Sequence, residues 1–238
     1  MDDQVNRLVD KAWERFQHTP KDQRFMIAIG GIPGSGKTTL SQTVTQALNA
    51  RHASQQPGAE EPIAAFVPMD GYHLTRAQLS AMPDATTAHA RRGAEFTFDG
   101  AAFLTLVQSL RAPLTASSTA IFAPSFDHAV KDPKADDIAI HPGHRIVVFE
   151  GNYVVLDKHP WREAADLMDE RWFVDVGFDV ARRRLVKRHV LAGIARDEEE
   201  AGRRADENDL VNGKQIVRDR IGVDEVVVSR EDEAWRHE

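Results

Sequence analysis

A glycine-rich segment between an apolar run and an amphipathic run constrains this chain more than any other feature. The segment covers residues 31–38 and reads GIPGSGKT. Residues 25–29, before it, read FMIAI, which is typical of a strand buried on both faces. After it, apolar residues recur at helical spacing at Leu40, Val44, Ala47 and Leu48. The order of strand, glycine loop and helix predicts an α/β fold in which the loop binds an anion at a helix N-terminus.

The spacing of the glycines, the lysine and the threonine is the complete P-loop pattern, which predicts a nucleoside triphosphate. Glycines let backbone N–H groups approach phosphates closely. Lys37 is expected to reach the β and γ phosphates, and the Thr38 hydroxyl to ligate Mg²⁺. The alternative is a turn that merely joins a strand to a helix. The residues predicted to hold ATP are Gly31, Pro33, Gly34, Ser35, Gly36, Lys37, Thr38 and Thr39.

Length and composition indicate one globular domain over residues 1–238. No segment approaches the roughly 18 apolar residues of a membrane span, and the acidic N-terminus is unlike a signal peptide. The chain has no cysteine, which is compatible with a reducing compartment and so with the cytoplasm. Its net charge of −7 argues against nucleic acid as a partner. The oligomeric state, a homodimer included, is left open.

Apolar strands alternate with helical patterns along the rest of the chain, which predicts a parallel sheet with helices on both faces. Residues 1–20 are expected to form an amphipathic helix. Residues 74–98 are polar and are expected to be irregular. Residues 119–149 suggest an excursion as a short β-ribbon, which returns into a buried strand.

Two carboxylates follow predicted strands, where open α/β sheets place their ligands. Asp70 can accept the proton of an attacking hydroxyl, and the alternative is an Asp-Gly turn. Glu150 ends the apolar run IVVF, where an acid can orient Mg²⁺, and the alternative is a surface carboxylate.

The segments GGIPGSGKTT, MDGYHL, PSFDHAVKDP and VVFEGNYVVLD, followed by an arginine-rich helix, occur in an order that resembles a known group of P-loop kinases. This is the uridine kinase, phosphoribulokinase and bacterial-type pantothenate kinase group, and the pantothenate-kinase-like branch is the most similar. The resemblance covers about residues 25–230. It implies that Asp70 is the catalytic base, that Glu150 lies near magnesium, and that Asp127 and His128 reach the substrate.

Several residues could line the pocket of the phosphate acceptor. Tyr72 and His73 follow the candidate base, and Tyr153 follows Glu150, although each can equally be a packing residue. Arg91 and Arg92 stand where many relatives have a proline-containing segment. Guanidinium groups pair bidentately with phosphate or carboxylate, so the two arginines can clamp an anionic acceptor. The alternative is a solvated basic turn.

Residues 182–212 are rich in arginine and are predicted to form a lid. An arginine on a closing segment can stabilise the charge of the transferred phosphoryl group. The candidates are Arg188, Arg196, Arg203 and Arg204, and the resemblance favours Arg188 and Arg196 as catalytic residues together with Lys37 and Asp70. The alternative is a helical face of paired charges, because glutamates 198–200 lie beside these arginines.

Together these features predict an ATP-dependent kinase that uses Mg²⁺ and phosphorylates a hydroxyl of a small metabolite, such as a nucleoside, a sugar, a sugar phosphate or a pantothenate-like acceptor. The alternative is a nucleotide switch that hydrolyses ATP or GTP slowly and binds a protein.

Overall fold

The computed structural model describes residues 2–58, 61–127 and 129–229. Its strands are β1 Phe25–Gly31, β2 Ala64–Pro68, β3 Ile121–Asp127, β4 Asp132–Ile140, β5 Ile146–Gly151, β6 Glu170–Asp175 and β7 Glu225–Val228. Five of them form one sheet in the order β2-β5-β1-β6-β7, and every pairing in it is parallel. The carboxyl ends of these strands therefore meet at one edge of the sheet.

Helices connect the strands and cover the sheet. They are α1 Asp2–Gln17, α2 Lys37–Gln55, α3 Arg76–Ser80, α4 Ala85–Ala90, α5 Gly100–Arg111, α6 Trp161–Asp166, α7 Phe178–Leu191, α8 Glu198–Arg204 and α9 Leu210–Arg218. In the part of the chain that is described, no helix is long and apolar enough to cross a membrane.

The central strand β1 contributes to both hydrophobic cores because its successive side chains point to opposite faces. Met26 belongs to the core that includes Phe103 of α5. Ile27 belongs to the core that includes Leu8 of α1 and Val44 of α2. A parallel sheet with helices on both faces is the predicted fold class, and the structure confirms it.

The N-terminal helix is fixed to the sheet by a buried carboxylate. Glu170 of β6 is fully buried and accepts a hydrogen bond from the indole Nε1 of Trp172 at 2.9 Å. Lys11 lies 3.1 Å from the same carboxylate, and Arg15 pairs with its other oxygen. The amphipathic helix expected over residues 1–20 therefore forms at residues 2–17 and packs on the face that also holds α2.

The predicted β-ribbon is confirmed as the antiparallel pair β3 and β4. It packs against a short 3₁₀ helix, Met69–Tyr72, that follows β2. A Cβ atom at Gly71 would lie 2.0 Å from the carbonyl oxygen of Pro124 on the ribbon. Only glycine permits this close approach, so the ribbon is fixed directly beside Asp70.

The expectation of an irregular stretch at residues 74–98 was wrong in part, because α3 and α4 lie within it. Thr75 and Gln78 form a capping box at the start of α3, and the Asp84 side chain accepts a hydrogen bond from Thr87 N at the start of α4. Both helices are shorter than two turns, so apolar periodicity could not predict them, although their caps are readable in the sequence.

The arginine-rich region consists of α7, α8 and α9, with a π-helical turn at Ala205–Asp209 between the last two. Such turns are rare, and many of them lie at functional sites. We refer to residues 182–212 as the lid segment. Its role as a lid stays a prediction, as does the assignment of residues 1–238 to one domain.

Candidate active site

The P-loop joins β1 to α2 and requires glycine at two positions. Gly34 and Gly36 have φ angles of 80° and 87°, in the left-handed region that other residues avoid. A Cβ atom at Gly34 would also lie 2.8 Å from the carbonyl oxygen of Ala181 in α7. The loop is therefore packed against α7, and α2 begins at Lys37 with its N-terminus toward the loop.

An acidic group and a basic group meet in the interior beside this loop. The Nζ atom of Lys37 lies 3.9 Å from Oε1 of Glu150, and both side chains are largely buried. Burial raises the pKa of Glu150 to about 7, while Lys37 and a hydrogen bond from the Thr38 hydroxyl act in the opposite direction. Burial likewise lowers the pKa of Lys37. Glu150 is thus a buried residue, and the surface alternative does not hold.

Asp70 lies on the 3₁₀ turn after β2, with its side chain exposed. In the sheet register Pro68 pairs with Glu150, so Asp70 is two residues beyond the level of Glu150. The Asp70 charge acts on the pKa of both Lys37 and Glu150, so the three groups share one edge of the sheet. The Asp70 carbonyl accepts from the backbone N of His73 at 3.2 Å, so the Asp-Gly turn forms as well.

Only part of the lid segment reaches this edge. Arg188 of α7 is exposed, and its charge acts on the pKa of both Lys37 and Glu150. Arg196 is 82% exposed and pairs with Glu200, and Arg203 pairs with Glu199 on its own helix. The charge of Arg188 therefore lies near Lys37 and Glu150, whereas Arg196 and Arg203 are paired with the neighbouring glutamates, as in the alternative.

The two candidate tyrosines are core residues. The Tyr72 ring packs edge-on against Phe103 at 5.3 Å, and the fully buried Tyr153 donates from its hydroxyl to the Gly93 carbonyl at 2.9 Å. Burial raises the pKa of both phenols. Tyr153 thereby fixes the loop at residues 91–94 above the end of β5.

The histidine and aspartate that were expected near the acceptor lie around the ribbon. His73 packs its ring against Phe98 and Phe126, with centroids 4.0 and 4.9 Å away. The Asp127 carboxylate accepts from the backbone N atoms of Ala129 and Val130, so it shapes the ribbon turn. His128 lies outside the described residues.

The adjacent arginines have different surroundings. Arg92 donates to the carbonyls of Leu74 and Lys131 and pairs with Asp132 at 3.0 Å, so it joins the segment after β2 to the ribbon. Arg91 turns the other way and donates to the side chains of α9 and of the preceding π-helical turn.

Two contributors to the site were missed in the sequence. Arg184 of α7 donates to the carbonyl of Gly34 at 3.2 Å and to the Ser229 hydroxyl at 2.9 Å, which fixes the outer side of the P-loop. Asp209 lies in the π-helical turn, pairs with His189 at 2.9 Å and acts on the pKa of Lys37. The arginine-rich helix could have suggested Arg184, but nothing local in the sequence marks a π-helical turn.

The comparisons with known proteins agree with this geometry. The model of the phosphoribulokinase / uridine kinase family matches residues 26–207. The chain belongs to this family. Within the same fold, the crystal structure of YFH7 from Saccharomyces cerevisiae superposes with a TM-score of 0.81 at 25% identity, covering 96% of this chain and 99% of that one.

Curated relatives of this phosphoribulokinase / uridine kinase family member are named as kinases. The ATP-dependent kinase-like protein notR' of Aspergillus versicolor is 58% identical over 159 residues, which are 67% of this chain and 92% of the relative. The ATP-dependent kinase YFH7 of Lachancea thermotolerans is 30% identical, over 93% of this chain and 71% of the relative. The chain is accordingly a P-loop kinase whose phosphate acceptor is a hydroxyl group of a small molecule.

Proposed function

We propose that this kinase transfers the γ-phosphoryl group of ATP to a hydroxyl of a small metabolite, with Asp70 as the base. The observation that carries the proposal is the meeting of Lys37, Asp70, Glu150 and Arg188 at the carboxyl edge of one sheet. Phosphoryl transfer depends on positioning and charge stabilisation, and these groups supply both.

The P-loop is the proposed site of the triphosphate. The left-handed backbone at Gly34 and Gly36 is suited to turning N–H groups toward an anion. Gly31, Pro33, Ser35 and Thr39 complete the loop that would surround the phosphates, and Lys37 would reach their outer oxygens.

The residues beside the loop fit a magnesium ion. Mg²⁺ prefers oxygen ligands, and the Thr38 hydroxyl lies beside the Glu150 carboxylate and lowers its pKa there. A carboxylate that is 5% exposed, with a lysine 3.9 Å away, is poorly compensated and would gain from a cation. When bound, Mg²⁺ would neutralise charge that develops on the phosphate oxygens.

Asp70 and Arg188 would carry the transfer itself. In the proposed step the acceptor oxygen forms a bond to the γ phosphorus, the bond from that phosphorus to the β–γ bridging oxygen breaks, and the acceptor proton passes to Asp70. Arg188 would stabilise the negative charge from the side of the lid segment. Arg196 would take part only if the lid segment moved, because it now pairs with Glu200.

The acceptor would lie between the ribbon and the lid segment. Its proposed contacts include Arg91 and His73, while the buried tyrosines, Arg92 and Asp127 would shape the pocket walls. Location in the cytoplasm and a homodimeric state stay predictions.

The proposal is tested by ADP release from the purified chain with ATP, Mg²⁺ and a panel of nucleosides, sugars, sugar phosphates, pantothenate and glycerate. At least one acceptor should stimulate ADP release well above the rate of hydrolysis, and Lys37→Ala should abolish the stimulation. Slow ADP release that no member of the panel changes would contradict the proposal and favour a nucleotide switch.

A further inference from the structure

Arg91 is fixed by two amide oxygens. Its Nε donates to Asn208 Oδ1 at 3.0 Å, and one terminal nitrogen donates to Asn212 Oδ1 at 2.8 Å. Asn208 in turn donates from Nδ2 to the Arg92 carbonyl at 3.0 Å. Both asparagines are almost fully buried, so the plane of the guanidinium is set by residues that cannot easily move.

Amide oxygens orient a guanidinium without cancelling its charge. Arg91 forms no ion pair with any carboxylate of the described residues, and its other terminal nitrogen makes no hydrogen bond to them. The neighbouring Arg92 has the opposite surroundings, with Asp132 at 3.0 Å and two backbone carbonyls. Only one member of the arginine pair therefore keeps an uncompensated positive charge.

The position of Arg91 is close to the reaction site. Its partner Asn212 precedes Gly213, where a Cβ atom would lie 3.4 Å from Ile32 of the P-loop. The charge of Arg91 is also felt by the Tyr153 hydroxyl, which lies above the end of β5. Arg91 therefore extends from the loop at residues 91–94, which Tyr153 fixes above the end of β5, to α9, which packs near Ile32 of the P-loop.

We propose that Arg91 binds an anionic group, phosphate or carboxylate, of the acceptor, with Asn208 and Asn212 as positioning residues. The proposal rests on the function proposed above, and it names the substrate class as hydroxyl compounds that already carry an anion.

The physical reason is the cost of a half-buried charge. A guanidinium that is partly removed from water and lacks a counter-charge is destabilising unless a ligand supplies that charge. An oriented guanidinium forms short bidentate hydrogen bonds to phosphate or carboxylate. An anionic acceptor must also approach Asp70, Glu150 and Asp209, and Arg91 would offset their repulsion.

The first experiment measures anion binding without turnover. Inorganic phosphate is titrated calorimetrically into the protein saturated with Mg²⁺ and a non-hydrolysable ATP analogue, so that the P-loop is filled. The variants are Arg91→Gln and Asn212→Asp, the second of which keeps the side-chain shape and gives Arg91 an internal carboxylate. Arg218→Gln is the control, because it removes an exposed arginine at the C-terminal end of α9, the helix that also carries Asn212.

Phosphate should bind to the wild type and to Arg218→Gln, and about tenfold or more weakly to Arg91→Gln and Asn212→Asp, as expected for lost charge-assisted hydrogen bonds. Equal phosphate binding by the wild type, Arg91→Gln and Asn212→Asp would overturn the inference, and so would no binding to any of them. Thermal unfolding shows whether Arg91→Gln or Asn212→Asp fails to fold. If one of them does, phosphate binding by the other variant decides whether Arg91 binds the anion.

The second experiment compares acceptors that differ only in the anion, namely glycerol, glycerate and glycerol phosphate, and ribose, ribonate and ribose 5-phosphate. We expect the anionic members to have the higher kcat/KM, and Arg91→Gln to raise their KM with little change for the neutral members. Two results would overturn the inference and leave the kinase function standing. One is an equal loss of kcat/KM for anionic and neutral acceptors in Arg91→Gln, and the other is a higher kcat/KM of the wild type for the neutral acceptors. Phosphorylation of none of these six compounds leaves the kinase function to the wider panel described above, and the phosphate titration then decides the role of Arg91.

Discussion

Two carboxylates at one sheet edge, Asp70 and Glu150, differ in exposure, and the tasks that we propose for them follow from this difference. Asp70 is exposed on a turn, where a substrate hydroxyl can reach it. Glu150 is buried beside Lys37 and the Thr38 hydroxyl. At the residue scale, the proposed base Asp70 is exposed and the proposed metal ligand Glu150 is buried.

The raised pKa of Glu150 predicts a pH dependence of magnesium binding. Mg²⁺ binds the charged carboxylate, which is protonated below its pKa of about 7, so protons compete more strongly as the pH falls through that value. Affinity for Mg²⁺ with nucleotide should therefore weaken as the pH falls from about 8 to about 6. Calorimetry on Glu150→Gln should find weaker binding at the higher pH and a flatter pH profile. A profile as steep as that of the wild type would exclude Glu150 as the ligand.

The contacts of Arg184 predict that its substitution weakens binding of the nucleotide and not of the acceptor. Its guanidinium holds the Gly34 carbonyl and the Ser229 hydroxyl, so Arg184→Gln should loosen the P-loop. We expect about a tenfold loss of ATP affinity, the size expected for hydrogen bonds from a charged donor, with the acceptor KM unchanged. Lys187→Gln, at an exposed position of the same helix, is the control for lost charge. Equal ATP affinity in the two variants would remove Arg184 from the nucleotide site.

At the element scale, the ribbon and the turn that carries Asp70 form one unit. The contact that joins them is the approach of the Pro124 carbonyl to Gly71, where a side chain has no room. Asp70, the proposed base, is thereby positioned by β2 on one side and by the ribbon on the other.

Gly71→Ala should therefore affect both stability and rate. The added methyl would meet backbone that cannot rotate away, and overpacking of this kind costs about 1–3 kcal/mol. Chemical denaturation should report that loss, and transfer should slow because Asp70 is displaced. Gly222→Ala is the matched control, since a Cβ atom there meets nothing within 4 Å. A Gly71→Ala protein with wild-type stability would mean that the ribbon is not fixed at this turn.

At the scale of the whole molecule, both cores share β1, so they should unfold together. We expect one calorimetric transition, which tests the prediction of one domain. Glu170→Gln weakens the attachment of α1 and should lower the free energy of unfolding by about 1–3 kcal/mol without splitting the transition. Two separated transitions in the wild type would contradict a single domain.

The sequence predicted the sheet, the P-loop and the ribbon because each has a strong local signal, such as the apolar run at Phe25–Gly31. It did not predict which arginine lies near Lys37 and Glu150. Arg188 and Arg196 lie on similar charged stretches, and only the packing of α7 against the P-loop distinguishes them. Likewise Arg91 and Arg92 differ through asparagines and an aspartate that are distant in sequence.

The central claim, that Asp70 is the base of a phosphoryl transfer, is tested most directly by single-turnover transfer from ATP to an accepted hydroxyl compound in Asp70→Asn. We expect nucleotide affinity to be retained and the transfer rate to fall by roughly two to four powers of ten, as for loss of a general base. Asp166→Asn, which changes an exposed carboxylate on α6, should transfer at the wild-type rate. Unchanged transfer in Asp70→Asn would contradict the account.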